Sequence, residues 1–317
     1  MNENHDRHDE VIVIGGGAAG LSAGLTLARA RRAVTVIDGG APRNAPAAGI
    51  HGLLANEGIA PAEYLARGRT EVTGYGGRVL AGQVRDALPD GDGFAVTLDD
   101  GTVLRSRALL VATGVRDVLP DLPGLAAHWG TSVLHCPYCH GWEVRDRRIG
   151  ILGTGPLSWM QALMFHQWSD DVVLLAGDAD PAPDEVAKLE AVGIEVVRGR
   201  VAEVLDDAAG ALTGVRLADG TAVEVDALAV HSRIEANVGI IAGLGLPLEE
   251  NQMGTVVPSD ADGSTAVPGV WVAGNLRDQA AQVTAAAADG VLVAARLNLN
   301  LTFADADRAV EERRVTA

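Results

Sequence analysis

The fold of this 317-residue chain is decided by the stretch Val11-Ile12-Val13-Ile14-Gly15-Gly16-Gly17-Ala18-Ala19-Gly20. Its four consecutive apolar residues predict a strand that is buried on both faces, as in a parallel sheet. Glycines at positions 15, 17 and 20 then lead into a helix predicted over residues 21–30. A second apolar run, Val34-Thr35-Val36-Ile37, predicts the next strand, which ends at Asp38. This order of elements is that of a βαβ unit.

In a βαβ unit this glycine spacing is the fingerprint of a dinucleotide site. The first glycine allows the tight turn, the second lets a pyrophosphate approach the backbone, and the third lets helix and strand pack closely. The phosphate sits at the helix N-terminus, and an acid at the end of the second strand binds ribose hydroxyls. The alternative is a glycine turn of purely structural use. We predict a dinucleotide held by Gly15, Gly17, Ala18, Ala19, Gly20, Asp38 and Gly39.

The same plan repeats in the second half of the chain, in an altered form. Residues 149–155 predict a strand and a glycine turn, but Pro156 lies in that turn and Ser158 stands where the third glycine belongs. The next strand runs into Asp178 and Asp180, whose charges would repel the 2′-phosphate of NADPH. We expect the second domain to keep the fold with an altered nucleotide site. A working NADPH site is the alternative.

The sequence therefore predicts an α/β protein with two Rossmann-like dinucleotide-binding domains. The first domain is predicted to be split, with residues 1–116 as its first part and residues 239–317 as its second. The second domain, residues 117–238, is inserted between them. The later part of the first domain is indicated by the apolar run 270–273, which leads into Gly274-Asn275 and then a long Ala-rich helix.

The only two cysteines of the chain lie in Cys136-Pro137-Tyr138-Cys139. Two thiols at this spacing can close and reopen a disulfide, which makes a redox pair our first interpretation. A metal site and inert structural thiols are the alternatives. His135 and His140 flank the pair and can hold or deliver a proton near neutral pH. Four ligands from one short stretch cannot readily surround a tetrahedral ion, so we expect no metal.

The composition of the chain makes several classes of partner poor candidates. The formal net charge is −17, which disfavours nucleic acid and anionic membrane surfaces as partners. The first ten residues lack the apolar core of a signal peptide, and no apolar run reaches the length of a membrane span. We therefore expect a cytoplasmic protein, where a lone cysteine pair serves redox or metal chemistry rather than structure.

Over nearly its whole length the chain resembles the low-molecular-weight thioredoxin reductase family of flavoproteins. The resemblance is carried by the Gly15–Gly20 motif, the turn Ala112-Thr113-Gly114, the Cys pair, the turn Gly274-Asn275, and Gln282-Val283 after it. It implies FAD as the cofactor and a homodimer. By the same resemblance, Cys136 exchanges with the substrate and Cys139 faces the flavin.

The chain departs from true thioredoxin reductases in three ways. An arginine-rich NADPH signature is missing, His140 replaces the acid after the second cysteine, and Asn275 replaces the aspartate of the ribityl-binding turn. These departures are similar to a subgroup of dithiol oxidases that form the disulfides of holomycin and gliotoxin. His135 and the pair Arg43-Asn44 also match that subgroup, and we place Arg43, Asn44 and His51 among the flavin-contacting residues.

The resemblance implies an FAD-dependent oxidase that acts on a small-molecule dithiol and passes electrons to oxygen. One alternative is a disulfide reductase driven by NADPH or ferredoxin, with a thioredoxin-like protein as partner. The other is a non-catalytic flavin redox sensor.

Overall fold

A computed structural model describes residues 8–177 and 179–316 of the chain. The chain forms two compact units. Of the described residues, the first unit contains 8–45, 62–116 and 234–316, and the second contains 46–61, 117–177 and 179–233. Throughout the described ranges, no helix is both long enough and apolar enough to cross a bilayer.

Strands and helices alternate over residues 8–81 and 133–197, as expected of an α/β protein. The helices are α1 Ala18–Arg29, α2 Pro61–Gly74, α3 Pro137–His140, α4 Ser158–Phe165, α5 Pro183–Ala191 and α6 Val283–Thr316. The strands are β1 His8–Ile14, β2 Val34–Asp38, β3 Arg78–Ala81, β4 Val84–Asp90, β5 Gly93–Leu98, β6 Val103–Val111, β7 Val115–Val118, β8 Val133–Leu134, β9 Ile149–Leu152, β10 Val172–Leu175, β11 Glu195–Val197, β12 Val201–Asp206, β13 Leu212–Leu217, β14 Ala222–Glu224, β15 Ala227–Val230, β16 Arg233–Ala236, β17 Glu249–Asn251, β18 Gly254–Val256 and β19 Val270–Val272.

The first unit is built on a sheet in the order β3-β2-β1-β6-β5-β4, with β19 also paired to β6. Strand β1 runs parallel to β2 and β6, with Val13 opposite Val36 and Leu110. All three side chains are fully buried, which explains the apolar run of β1. Strand β6 pairs antiparallel with β5 and parallel with β19. The carboxyl ends of β1, β6 and β19 therefore meet at one edge, where Rossmann sheets bind ligands.

Helices α1 and α6 cover one face of this sheet and pack closely on each other. A Cβ atom at Gly290 of α6 would lie 2.1 Å from the carbonyl oxygen of Ala19 in α1, so only glycine permits this approach. Leu27, Val293 and Leu297 are buried in the same core. Helix α6 thus completes the core of the first unit, to which α1 also belongs.

The second unit has its own parallel sheet, in the order β11-β10-β9-β15-β8. Ile149 and Ile151 of the central strand β9 are fully buried, and Phe165 of α4 packs into the same core. The sheet grows in opposite directions from β9 and β15, so the crevice for a ligand in such a fold lies beyond the carboxyl ends of these two strands. The predicted architecture of two Rossmann-like domains is confirmed.

The loop Pro46–Pro61 belongs to the second unit, although the sequence-based ranges place it inside 1–116. Its two sides are joined by the backbone bond from Ile50 N to Ile59 O, of 2.8 Å. Gly130 approaches Pro46 so closely that a Cβ atom there would lie 2.6 Å from the proline Cβ. Contacts of this kind join residues far apart in sequence, so no local pattern could place the loop. The predicted ranges 1–116, 117–238 and 239–317 stay predictions in their details.

Candidate active site

The glycine turn after β1 is shaped by two close approaches within the first unit. Gly15 has a φ of +116°, and a Cβ atom there would lie 2.2 Å from the carbonyl oxygen of Ala112. A Cβ atom at Gly20 would lie 1.8 Å from Gly15 O. These two glycines therefore serve packing, and they hold the turn after β1 against the end of β6.

Gly17 is different, because among the described residues no atom beyond Gly17 itself and its neighbours along the chain lies within 4 Å of the position that its Cβ would take. It is the N-cap of α1, no side chain caps this helix, and its first turn carries no acid. An uncapped helix N-terminus with open space before it attracts an anion. The turn thus offers the cradle that a pyrophosphate requires.

Asp38 lies beside this turn, as the sequence predicts. A Cβ atom at Gly16 would lie 2.2 Å from its Cγ. Its Oδ1 accepts a bond of 2.9 Å from Gly40 N, and its Oδ2 accepts one of 2.8 Å from Arg69 Nη1. A carboxylate has lone pairs left to accept ribose hydroxyls after two such bonds. Sequence reasoning missed Arg69, which α2 delivers from 31 residues away.

The turn Ala112-Thr113-Gly114 continues the same edge of the sheet. Ala112 N bonds to Ile14 O at 2.8 Å, which ties the turn to β1. The hydroxyl of Thr113 is buried and has no hydrogen-bond partner among the described residues. Buried hydroxyls are almost always satisfied, so an orphaned one at a ligand-binding edge indicates a polar group supplied by a ligand.

The turn Gly274-Asn275 reaches the same place from the end of β19. A Cβ atom at Gly274 would lie 2.8 Å from the Cβ of Ala19, so this turn lies against the start of α1. Gly274 N bonds to Asp289 Oδ2 at 2.8 Å, and Asn275 Nδ2 donates to Ala281 O at 2.8 Å. Asp289, which the sequence analysis missed, fixes the turn on α6.

Helix α6 begins at Val283, directly after Gln282, and its first turn carries no acid. The first unit therefore brings the three predicted cofactor segments, which follow β1, β6 and β19, together at one edge of its sheet. Open space at Gly17 and the unpartnered hydroxyl of Thr113 lie in these segments. This arrangement fits FAD. Arg43 and Asn44 also belong to the first unit. The contacts of the individual residues with FAD stay predictions.

In the second unit, the cysteines lie at the short helix α3. Cys136 is its N-cap and Pro137 its first residue. The amides of Cys139 and His140 both donate to Cys136 O at 3.2 Å, which closes the turn and brings the two cysteines onto one side of it. Both are half-buried thiols. The described residues hold no group of three His, Cys, Asp or Glu side chains suited to a metal ion.

His135, directly before the first cysteine, stacks on His231, with ring centroids 5.5 Å apart and 23° between the ring planes. The two residues follow β8 and β15, which are parallel neighbours. Gln161 Nε2 donates to His135 O at 2.8 Å, and Thr154 Oγ1 donates to His231 O at 3.0 Å. Burial lowers the pKa of His231. The sequence analysis did not single out His231, although its position directly after the apolar run Ala227-Leu228-Ala229-Val230 was a usable signal.

His140 and His51 also meet in the second unit. Burial lowers the pKa of His140, against an opposing effect of the Glu143 charge and with a small further lowering from His51. His51 Nδ1 lies 2.7 Å from Glu57 Oε1, and His51 Nε2 lies 3.5 Å from Glu143 Oε1. The sequence analysis assigns His51 to the flavin. The structure groups it with the helix of the cysteines, and its contact with the flavin stays a prediction.

The second glycine turn is closed by its own side chain. Ser158 Oγ accepts a bond of 3.1 Å from Thr154 N and a longer one of 3.3 Å from Gly155 N. In a working dinucleotide site, amides of this turn point at phosphate. Asp180 lies after the following strand, and Asp178 lies outside the described residues. Ser158, which stands where the third glycine belongs, thus occupies two amides of its own turn, and the altered nucleotide site stays a prediction.

Comparison with known proteins gives the family. Residues 9–290 match the family described as pyridine nucleotide-disulphide oxidoreductase. The chain belongs to this family.

Curated relatives of this oxidoreductase include two fungal proteins named as thioredoxin reductases. Thioredoxin reductase tcpT of Claviceps purpurea is 32% identical, over 84% of this chain and 86% of the relative. Thioredoxin reductase sirT of Leptosphaeria maculans is also 32% identical, over 93% and 95%. Among solved structures, HlmI is 41% identical with a TM-score of 0.92 and full coverage of both chains. An oxidoreductase from Agrobacterium tumefaciens is 34% identical with a TM-score of 0.88, over 94% of this chain and 99% of that chain.

These relationships make the protein an enzyme, a flavin-dependent thiol–disulfide oxidoreductase with FAD as its cofactor. The resemblance stated from the sequence motifs is confirmed. The cysteine pair stays our predicted thiol–disulfide centre, and the edge of the first sheet fits the flavin.

Proposed function

We propose that this oxidoreductase works as an oxidase, converting a small-molecule dithiol and dioxygen into a cyclic disulfide and hydrogen peroxide. The observation that carries the proposal is the closed second glycine turn, where Ser158 Oγ accepts from Thr154 N and Gly155 N. A reductase of this family draws electrons from a nucleotide in the second domain. An enzyme without that input is better suited to taking electrons from thiols.

The exchange chemistry rests on Cys136 and Cys139. A substrate thiol loses its proton, and the thiolate attacks Cys136 Sγ in the Cys136–Cys139 disulfide, which releases Cys139 as a thiolate. The second substrate thiol, after losing its proton, attacks the substrate sulfur of the mixed disulfide. This closes the substrate disulfide and releases Cys136. Two electrons remain on the cysteine pair, and two protons have left the substrate.

Bound FAD supplies the two-electron chemistry that connects the cysteine pair with dioxygen. The protein's part is to hold the cysteines, to accept protons and to bind the substrate. His135 stands beside Cys136, with its ring stacked on His231. His140 stands beside Cys139, and the lowered pKa of its half-buried imidazole favours the neutral form that can accept a proton.

An anaerobic titration tests the direction of electron flow. Dithiothreitol as the dithiol probe should bleach the flavin absorbance of the purified holoenzyme, whereas NADPH should leave it unchanged over the same time. Readmission of air should restore the absorbance and produce peroxide. The Cys136→Ser variant is the control and should fail with dithiothreitol. Rapid bleaching by NADPH would overturn the oxidase.

A second candidate is a disulfide reductase, because curated relatives carry the name thioredoxin reductase. In that case the cysteine pair would pass electrons to a thioredoxin-like protein, and the electron source would be NADPH or ferredoxin. Thioredoxin reduction by the holoenzyme with NADPH would support it. We also propose that the protein is a homodimer and lies in the cytoplasm, as expected in the sequence analysis.

A further inference from the structure

Four side chains of the second unit form a chain of alternating acids and imidazoles, made of His140, Glu143, His51 and Glu57. His51 is its middle member, with Glu57 Oε1 2.7 Å from Nδ1 and Glu143 Oε1 3.5 Å from Nε2. Gly52 N donates to Glu57 Oε2 at 2.8 Å, so the loop backbone holds Glu57 in place. Both nitrogens of the His51 ring therefore face a carboxylate.

The inner end of this acid–imidazole chain lies at the redox pair. His140 directly follows Cys139, and its amide bonds to Cys136 O at 3.2 Å. Its imidazole is half-buried, and the charge of Glu143 acts on it against the effect of burial. Helix α4, which packs against α3, carries no charged side chain over Ser158–Phe165. The charged and titratable groups that act on the pKa of His140 are Glu143 and His51, and the titratable side chains of Tyr138 and His166 lie on or directly after the two helices.

The outer end of the chain is exposed. The Glu143 side chain is 40% exposed and that of Glu57 is 61% exposed. The hydrogen bond from His51 lowers the pKa of Glu57, so this carboxylate stays ionised near neutral pH. The four groups therefore run from a half-buried base to a carboxylate in water.

In the substrate half of the reaction, a dithiol that becomes a disulfide releases two protons beside half-buried cysteines, and the reduction of dioxygen to peroxide takes up two protons again. We propose that His140, Glu143, His51 and Glu57 form a proton path between the redox pair and solvent, in which the His51 ring passes the proton from one carboxylate to the other. The inference rests on the proposed dithiol chemistry. A substrate S–H bond breaks, the proton passes to the ring of His140, and the electron pair stays on sulfur. The proton then leaves along Glu143, His51 and Glu57.

The first test is a titration of the reduced protein, which requires no turnover. Nuclear magnetic resonance of the histidine rings would follow the protonation midpoint of His140. Glu143→Gln removes a charge that raises the pKa of His140, so the midpoint should move to lower pH. His51→Gln removes a lowering effect, so the midpoint should move to higher pH. Glu203→Gln is a matched control in the same unit, a 44% exposed carboxylate paired with Arg216, and it should move nothing.

The second test is chemical rescue of His51→Ala. Turnover with dithiothreitol should fall about tenfold, less than the roughly 10²- to 10⁴-fold contribution of a direct general base. Added imidazole should restore it, because a small buffer can carry the proton that the missing ring no longer passes. A purely structural role would give a loss without rescue and an unmoved His140 midpoint, and that combination would overturn the proposal. Absent oxidase turnover in the unaltered enzyme would instead refute the proposed function, while the titration would still report on the path.

Discussion

At the scale of single residues, the three glycines of the first turn have different tasks. A Cβ atom at Gly15 or Gly20 would collide with backbone, so these two glycines are needed for the fold itself. Gly17 has open space and a φ of −78°, so its own chain sets no steric demand for glycine. Glycine is required at position 17 by the ligand that binds there, so a substitution of Gly17 should affect cofactor binding and leave folding intact.

We expect Gly17→Ala to leave the apoprotein folded and to weaken FAD binding. Loss of a glycine N-cap should cost less than about 1 kcal/mol of unfolding free energy. The added methyl group would block the approach of the pyrophosphate, and the Kd for FAD should rise by at least about tenfold, or about 1.4 kcal/mol. Flavin fluorescence during titration of the apoprotein measures this. Gly74→Ala, at another open position, is the control; an unchanged Kd in Gly17→Ala would show that the phosphate lies elsewhere.

At the scale of elements, an ion-pair cluster ties α6 to the first sheet. Asp305 of α6 lies 2.8 Å from Arg32 Nη1 and 2.7 Å from Arg107 Nη1. Arg32 also pairs with Glu10 of β1, and Arg107 belongs to β6. The cluster holds the helix where its buried face ends, since Leu301 is its last buried residue.

Asp305→Asn should lower the stability of the first unit in a pH-dependent way. The hydrogen bond from Arg32 is the main reason why the pKa of Asp305 is lowered. A carboxylate whose pKa is lower in the folded than in the unfolded state stabilises the fold at pH values above its unfolded-state pKa. This stabilisation is lost as the pH falls through the folded-state pKa. The side chain is 38% exposed, so we expect only about 0.5–1 kcal/mol at pH 7 and no difference in strong acid. Urea unfolding at pH 7 and in strong acid measures the free energy of unfolding, and Asp307→Asn, at an exposed position, is the control. An equal loss of stability at the two pH values would contradict the ion-pair origin.

At the scale of the whole molecule, the first unit is assembled from the two ends of the chain. Strand β19 pairs with β6, and α6 packs on α1. The elements that come early in the chain are therefore covered on this side only after β19 and α6 have joined them. The large buried side chains of α6 are Val293, Leu297 and Leu301. Burial of three such side chains contributes roughly 5–9 kcal/mol, which is comparable to the whole stability of a domain.

A chain that ends at Gln282 should therefore fail to form the first unit, whereas one that ends at Ala306 should keep it. Residues 307–316 are exposed, and their removal uncovers no core. Far-ultraviolet circular dichroism and limited proteolysis would distinguish the two truncated chains. Cooperative unfolding and FAD binding by the shorter chain would contradict the role of α6 in this core.

The sequence by itself determined the two glycine turns, their strands and helices, and the cysteine pair with its flanking histidines. These features depend on neighbours along the chain, such as the apolar run of β1 that becomes a buried strand. The family also follows from them, because its motifs are local.

Only the tertiary structure decided which distant residues join these motifs. It brought Arg69 to Asp38, His231 to His135, and the loop of His51 to Glu143. Each contact spans from 31 to 96 residues and leaves no periodic or spacing signal. Packing and desolvation depend on three-dimensional neighbours, so the lowered pKa values of His140 and His231, and the closure of the second turn by Ser158, became visible only in the folded chain.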